Sequence, residues 1–349
     1  MSTTVSFPGL GIGEFSVDRV AFSLFGKPIY WYGVIIMLGI VAAVIHVIVR
    51  SKREGFTVDD VMDFGIFTVL FGVLGARLYY VVTTLDTHEY KNIIDVLAVW
   101  EGGLAIYGGI IAGCTALVLT AARKKINPLK VMDATGPGVM LAQAIGRWGN
   151  FMNGEAFGYE VAEGSALYPF RMGLISEYTH TGNEMHFYHP TFLYESVWNI
   201  VGFVIICFLY RKKKFNGQVA LMYFAWYGFG RMFIEGLRTD SLYVGPFRIS
   251  QLVGAFCFVA GVTLIIVGTI LVNKGKLDKW LAVRWAEPVL AEGETVVESA
   301  ETETQDESES ETETEAATDE ESLADADSVT EEMLKNEACS PENDIPDNQ

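Results

Sequence analysis

Three arginines sit at the ends of apolar runs, where a charge is costly unless it meets a partner or lines a polar cavity. Arg77 belongs to GARLYYV, Arg147 to GRWGNFMNGEAFG and Arg231 to RMFIEGLR. Spacings of four and three residues place Arg231, Glu235 and Arg238 on one helical face. Snorkelling to an interface accounts for any one of these cations alone. Three of them at one depth on separate helices, on the side where positive charge is normally scarce, point to a bound anion. The planar guanidinium donates paired hydrogen bonds that fit phosphate oxygens, so a phospholipid headgroup is the expected ligand.

The densest polar stretch is Gly146–Gly158, which the sequence places where the fourth apolar helix gives way to a long outer loop, with Arg147 just past the helix end. Arg147, Asn150, Asn153 and Glu155 each need a partner there. Gly146, Gly149, Gly154 and Gly158 let a backbone approach another molecule closely or turn with positive φ. A glycine-rich helix end alone would explain the glycines and leave the two amides beside a charged pair unexplained. The stretch therefore reads as a ligand cradle.

The elements that must hold these residues are apolar. Of 349 residues, half are hydrophobic and 19% charged, and seven runs approach the roughly 20 residues that cross a bilayer. They are Trp31–Val49, Val61–Val82, Gly102–Ala122, Leu129–Ile145, Phe192–Tyr210, Gln218–Ile234 and Gln251–Val272. The fold class expected is all-α, a polytopic membrane protein of about seven transmembrane helices. Lys and Arg gather in four short segments, Arg50–Arg53, Arg123–Lys130, Arg211–Lys214 and Lys274–Arg284, each two helices from the next. Such segments stay in the cytoplasm, which puts the N-terminus outside and the cradle towards the outer face of the membrane. No cleavable signal peptide is evident in residues 1–30.

The formal charge of −18 divides sharply: residues 286–349 carry −22 and residues 1–285 carry +4. A block of like charge with little apolar surface cannot offset chain entropy, so 1–285 is expected as the transmembrane catalytic domain and 286–349 as a disordered, acidic, cytoplasmic tail. The composition excludes a collagen-like, disulfide-stapled or nucleic-acid-binding protein. Cys114, Cys207 and Cys257 fall singly in apolar helices and Cys339 in the tail, with no disulfide framework. His180, His186 and His189 lie near one another but without Cys or an H-E-x-x-H pattern, so no metal is expected, and no cofactor either. Neither a G-x-S-x-G nucleophile motif nor a Walker loop occurs.

GRWGNFMNGEAFG resembles the signature G-R-x-G-N-F-x-N-x-E-x-x-G of the prolipoprotein diacylglyceryl transferases, matching all eight specified positions. The resemblance extends over residues 6–285 through WYG at Trp31–Gly33, GARL at Gly75–Leu78, GGLAIYGG at Gly102–Gly109, HPTFLYE at His189–Glu195 and RMFIEGLR at Arg231–Arg238. It implies transfer of a diacylglyceryl group from phosphatidylglycerol to the lipobox cysteine of a prolipoprotein signal peptide, forming a thioether and releasing glycerol 1-phosphate. It further implies that Arg147 and Arg231 neutralise the lipid phosphate, that Asn150 and Asn153 bond the glycerol headgroup, and that Gly158 lets the loop pass close by. Glu155 and Glu235 would hold the arginines, while Tyr32, Arg77, His189 and Arg238 complete the substrate contacts.

The proton acceptor for the substrate thiol stays open. Some members of that family carry His where GGLAIYGG has Tyr107, and a phenol with an ordinary pKa of about 10 is a poor base unless a cation lowers it. Tyr107 beside an arginine, Tyr32, His189, or a thiol ionised by the arginine field alone are the alternatives. A transporter whose arginines bind an anion at mid-membrane is the competing class. The outward clustering of the charges and the lack of an internal repeat argue against it.

Overall fold

The computed structural model describes residues 3–87, 89–179, 181, 184–239, 241–276 and 281–283. The acidic tail, the boundary at residue 285, Cys339 and His180 lie outside these residues.

Helices form where the apolar runs are. They are α1 (Trp31–Glu54), α2 (Val58–Thr83), the five-residue α3 (Ile93–Leu97), α4 (Ile106–Arg123), α5 (Pro128–Asn153), α6 (Thr191–Leu209), α7 (Gln218–Ile234) and α8 (Ile249–Asn273). Among the described residues, five helices are long and apolar enough to cross a membrane: α1, α2, α4, α6 extended through Lys212, and α8. Their outward side chains, such as Met37, Ile66, Phe208 and Phe256, are more than half exposed, as expected of faces that meet lipid. The other two long helices differ in kind. α7 has 17 residues, and α5 carries Lys130, Asp133, Gln143, Arg147, Asn150 and Asn153 along its length.

Local chemistry sets the helix ends. Thr57 and Asp60 form a reciprocal capping box at the start of α2, the Asp60 amide donating to Thr57 Oγ1 at 3.2 Å and the Thr57 amide to the Asp60 carboxylate at 2.9 Å. Asn127 caps α5 ahead of Pro128 at its first turn. Two expected boundaries move. α4 begins at Ile106 rather than Gly102, because Gly102 and Gly103 take φ of +86° and +64° and break the run. α5 continues two turns past Ile145 and ends only at Gly154, where φ is +65°.

The all-α expectation needs a further correction, because eight short strands are present among the described residues. β1 (Thr3–Phe7), β2 (Ile12–Val17), β5 (Met172–Ile175) and β6 (His186–Tyr188) make an antiparallel sheet in the order β2-β1-β5-β6. Hairpins β3–β4 (Val20–Leu24, Lys27–Tyr30) and β7–β8 (Tyr243–Val244, Phe247–Arg248) run directly into α1 and α8. Val5, Phe7, Val17, Met172 and Leu174 of the sheet pack with Phe157, Tyr188 and Phe192 into a core at the start of α6.

The helices join most closely as α1 with α5, α2 with α4 and α7 with α8. Glycines allow the second pairing: a Cβ at Gly75 would fall 2.8 Å from the Gly108 carbonyl oxygen, and one at Gly108 only 2.3 Å from that of Gly75. α6 and α7 are clasped by two stacked indoles. Trp198 Nε1 donates to the Trp226 carbonyl and Trp226 Nε1 to the Trp198 carbonyl, both at 3.0 Å, with ring centroids 4.4 Å apart. At the end of the bundle where α1 stops and α5 starts, Lys213 is buried between Glu54 at 2.5 Å and Asp133 at 3.0 Å, and the Tyr210 hydroxyl donates to the same Glu54 oxygen at 2.8 Å.

Candidate active site

The last two turns of α5, the first turns of α6 and the end of α7 converge at the opposite end of the bundle. Arg147 lies inside α5, not after it, because Gly146 and Gly149 remain helical. A Cβ at Gly149 would sit 2.9 Å from the Tyr32 ring, so this glycine gives α1 room to approach α5. Arg147 Nη2 donates to Glu195 Oε1 at 2.6 Å, and Arg231 Nη1 donates to Glu195 Oε2 at 3.0 Å. Arg238 Nη1 stands 4.0 Å from that same oxygen. Arg231 is also paired with Glu235 at 2.6 Å, as the spacing of four foresaw. Glu195 is 2% exposed, and the sequence reading had assigned it no role.

A second chain of hydrogen bonds leads away from Arg147. Its Nη1 donates to Asn150 Oδ1 at 3.2 Å, and the amide nitrogens of Asn150 and Asn153 both donate to Glu155 Oε1, at 3.0 and 3.1 Å. Glu155 thus steadies the two amides and reaches Arg147 only through Asn150. Arg147, Arg231 and Arg238 gather about Glu195 and Glu235 with side chains 21%, 15% and 11% exposed above nearly sealed carboxylates. That arrangement receives an anion without any charge having to move first.

Other expected contacts are placed differently. Arg77 is not brought to this cluster: its guanidinium donates to the carbonyls of Asp95, Val96, Gly102 and Gly103 and ties the 93–103 segment to α2. With four backbone acceptors it is a structural clamp. Gly158 makes its close approach within the chain, since a Cβ there would fall 2.7 Å from both His189 Cβ and the Leu237 carbonyl oxygen. The Gly158 amide donates to the His189 carbonyl at 2.9 Å and the Tyr159 amide to that of Leu237 at 2.8 Å, which fixes Glu155 and Arg238 on either side of one strap. His189 is 8% exposed, its Nδ1 3.3 Å from the Tyr194 hydroxyl, and burial lowers its pKa below the usual value. It is a neutral ring packed under the strap. His186 faces Glu160 at 2.7 Å instead of another histidine, and among the described residues no three His, Cys, Asp or Glu side chains gather as a metal would require.

Tyr107 opens α4 beside Ile106, and among the described residues its hydroxyl makes no hydrogen bond. Tyr227 stands on α7 four residues before Arg231, its ring stacked against Tyr223 with centroids 6.0 Å apart. Arg248 is new to the site: it donates to the Glu235 carbonyl and, at 3.0 Å, to the Tyr159 hydroxyl.

Beneath Arg147 a cavity of about 460 Å³ opens among α1, α2, α4 and α5. Tyr32, Arg147 and Asn150 stand at its polar end, and Ile40, Val44, Val47, Val61, Phe64 and Leu117 line the rest. A charged mouth above an apolar shaft matches an amphiphile's headgroup and chains.

Residues 19–267 match the family described as prolipoprotein diacylglyceryl transferase. The chain belongs to that family. Among its relatives, a phosphatidylglycerol–prolipoprotein diacylglyceryl transferase of Streptococcus uberis is 44% identical over 252 residues, 72% of this chain and 95% of the relative. Proteins of the same description from Enterococcus faecalis and Streptococcus mutans are 44% and 40% identical over 259 and 253 residues, each 72% of this chain, and 90% and 95% of the relatives. The family match takes in every residue of the cluster, from Tyr32 to Arg248.

Proposed function

We propose that this chain moves the diacylglyceryl group of phosphatidylglycerol onto the lipobox cysteine thiol of a prolipoprotein, forming a thioether and releasing glycerol 1-phosphate. The observation that carries the reading is the guanidinium pair of Arg147 and Arg231 held on one buried carboxylate, Glu195, at the polar end of an apolar cavity. In this reaction the thiolate sulfur attacks the glyceryl carbon that bears the phosphate ester. The S–C bond forms as the C–O bond breaks, and the electron pair leaves on the phosphate. Arg147 and Arg231 meet that growing charge, and the Asn150 and Asn153 amides, steadied by Glu155, hold the glycerol headgroup. Glu235 and Arg238 keep Arg231 in register.

The thiol must lose its proton first, since the thiolate is the nucleophile. The guanidinium field of Arg147 and Arg231 favours the thiolate, with Tyr107, Tyr32 or His189 as the acceptor. The bundle would cross the membrane seven times with the N-terminus outside and this site at the outer face, supported by the basic segments at the far ends of the helices. Residues 1–285 would suffice for catalysis, with 286–349 a cytoplasmic appendage.

The test is to incubate the purified chain with phosphatidylglycerol and a lipobox peptide and weigh the peptide. A gain of one diacylglyceryl group on cysteine is the expected result, and an unmodified peptide overturns the proposal. Tyr107→Phe should slow transfer by roughly 10² or more if Tyr107 accepts the proton, the loss typical of a general base. A fully active Phe variant directs the search to His189 or to a thiol ionised by the arginine field alone.

A further inference from the structure

The apolar cavity has one amide in its wall that the reaction does not use. Gln143 lies on α5 one turn inward of Arg147, a rise of about 6 Å, and lines the cavity among Ile36, Val139 and Ala142. One end of its amide is engaged: Nε2 donates to the Tyr223 hydroxyl at 3.1 Å. The other end, Oε1, is buried from solvent and has no hydrogen-bond partner. Half an amide left unmet in such surroundings costs about as much as a hydrogen bond is worth. Its place beside a ligand cavity suggests that the ligand supplies the missing bond.

The ligand's chemistry can be read from depth. If a phosphate sits on Arg147, the part of the molecule level with Gln143 is one short glycerol backbone further in. There a diacylglycerol carries its two ester carbonyls, which accept hydrogen bonds and donate none. A half-turn about the Cγ–Cδ bond of Gln143 exchanges the amide ends. The Tyr223 hydroxyl then donates to Oε1, and the NH₂ becomes the open end with a donor for a carbonyl. Tyr223 serves either orientation because a phenol both donates and accepts. Its own ring is stacked against Tyr227 with centroids 6.0 Å apart, so the amide is anchored to the helix that carries Arg231.

We infer that Gln143 is a specificity-determining residue that reads an acyl ester carbonyl of the lipid, so that the site prefers ester-linked to ether-linked glycerophospholipid. This rests on the reading of the cavity as the lipid site proposed above. One net hydrogen bond is worth roughly five- to tenfold in affinity, and that factor is the expected size of the preference.

The experiment measures equilibrium binding of two probes, dialkyl-ester and dialkyl-ether phosphatidylglycerol of equal chain length, to the full chain in detergent without any acceptor peptide. The wild-type chain should bind the ester lipid five- to tenfold more tightly. Gln143→Leu should bring the two affinities together by weakening the ester lipid alone, its unchanged affinity for the ether lipid showing that the cavity is intact. Tyr223→Phe, which frees the amide without removing it, should give an intermediate ratio and serves if the Leu variant does not fold. A wild-type chain indifferent to the linkage, or a preference that survives both substitutions, overturns the inference. Peptide lipidation, measured separately, tests the transfer reaction: a linkage preference that depends on Gln143 in a chain that lipidates no peptide would leave the lipid site standing and the transferase reading fallen.

Discussion

The two ends of the bundle solve the same electrostatic problem with opposite signs. At one end a buried carboxylate, Glu195, gathers Arg147, Arg231 and Arg238. At the other a buried ammonium, Lys213, is gripped by Glu54 and Asp133. The difference lies in what is left over. Around Lys213 the three charged side chains are 0%, 1% and 0% exposed, and the Gly217 and Ala220 amides donate to the two oxygens of Asp133 at 2.9 and 3.0 Å. That charge is closed upon itself and can only hold helices together. Around Glu195 the guanidiniums stay partly exposed above the buried carboxylate, so they can meet an arriving anion. Exposure decides which role follows: guanidiniums left partly open can meet a ligand, whereas an ion cluster sealed on every side can only hold helices.

The largest expected effect falls on the open end. Arg147→Lys keeps the charge and loses the fork that bonds Glu195 and Asn150 together while facing a phosphate, so kcat/KM should fall by about 10² to 10³ with the melting temperature almost unchanged. Activity near that of the parent would make the outer cluster as purely structural as the inner one. Lys213→Met should do the opposite. It leaves two carboxylates buried without a cation, at a cost of about 3–5 kcal/mol in stability, while the folded fraction keeps its turnover number. Restoring stability by adding Glu54→Gln and Asp133→Asn to Lys213→Met would sharpen the case, and a turnover defect that persists in the restored chain would break it. The smallest effect belongs to the clasp between the ends. Trp226→Phe removes one indole hydrogen bond, about 1 kcal/mol, and should lower thermal stability slightly with no change in either lipid affinity or rate.

Much of this was legible in the sequence because the helices announce themselves. A run of 17 to 22 residues that buries or offers lipid an apolar face has few other shapes open to it, and all seven runs became helices. The strands were not legible. Segments such as TTVSF and HFY are three to five residues long, and TTVSF pairs with Gly173–Ile175 more than 150 residues away, a pairing no local pattern encodes. Glycine misled at α5, where Gly146 and Gly149 suggested a break and instead make room for neighbouring side chains inside a continuous helix. Arginine misled at Arg77, whose charge is spent on four backbone carbonyls. Arg147, Arg231, Glu235, Asn150 and Asn153 could be chosen from type and spacing, and the structure brings them into one connected network. Glu195 could not, since its partners come from two other helices, although HPTFLYE placed an acid at the head of an apolar helix.

The pairing of α2 with α4 and of α1 with α5 has a mechanical consequence. Two stiff leaves, each fused along its length, meet across the cavity with little direct contact between them. They are stitched at one edge, where Gly55 and the turn at Lys125 link them and Phe56, Val61 and Phe64 pack with Leu117, Ala121 and Val131. The leaves resemble a book held by its spine: pages can part at the Arg147 edge without disturbing the binding. A double-chained molecule could slip in sideways there, chains following head, and the weight of the covers would fall on the inner spine.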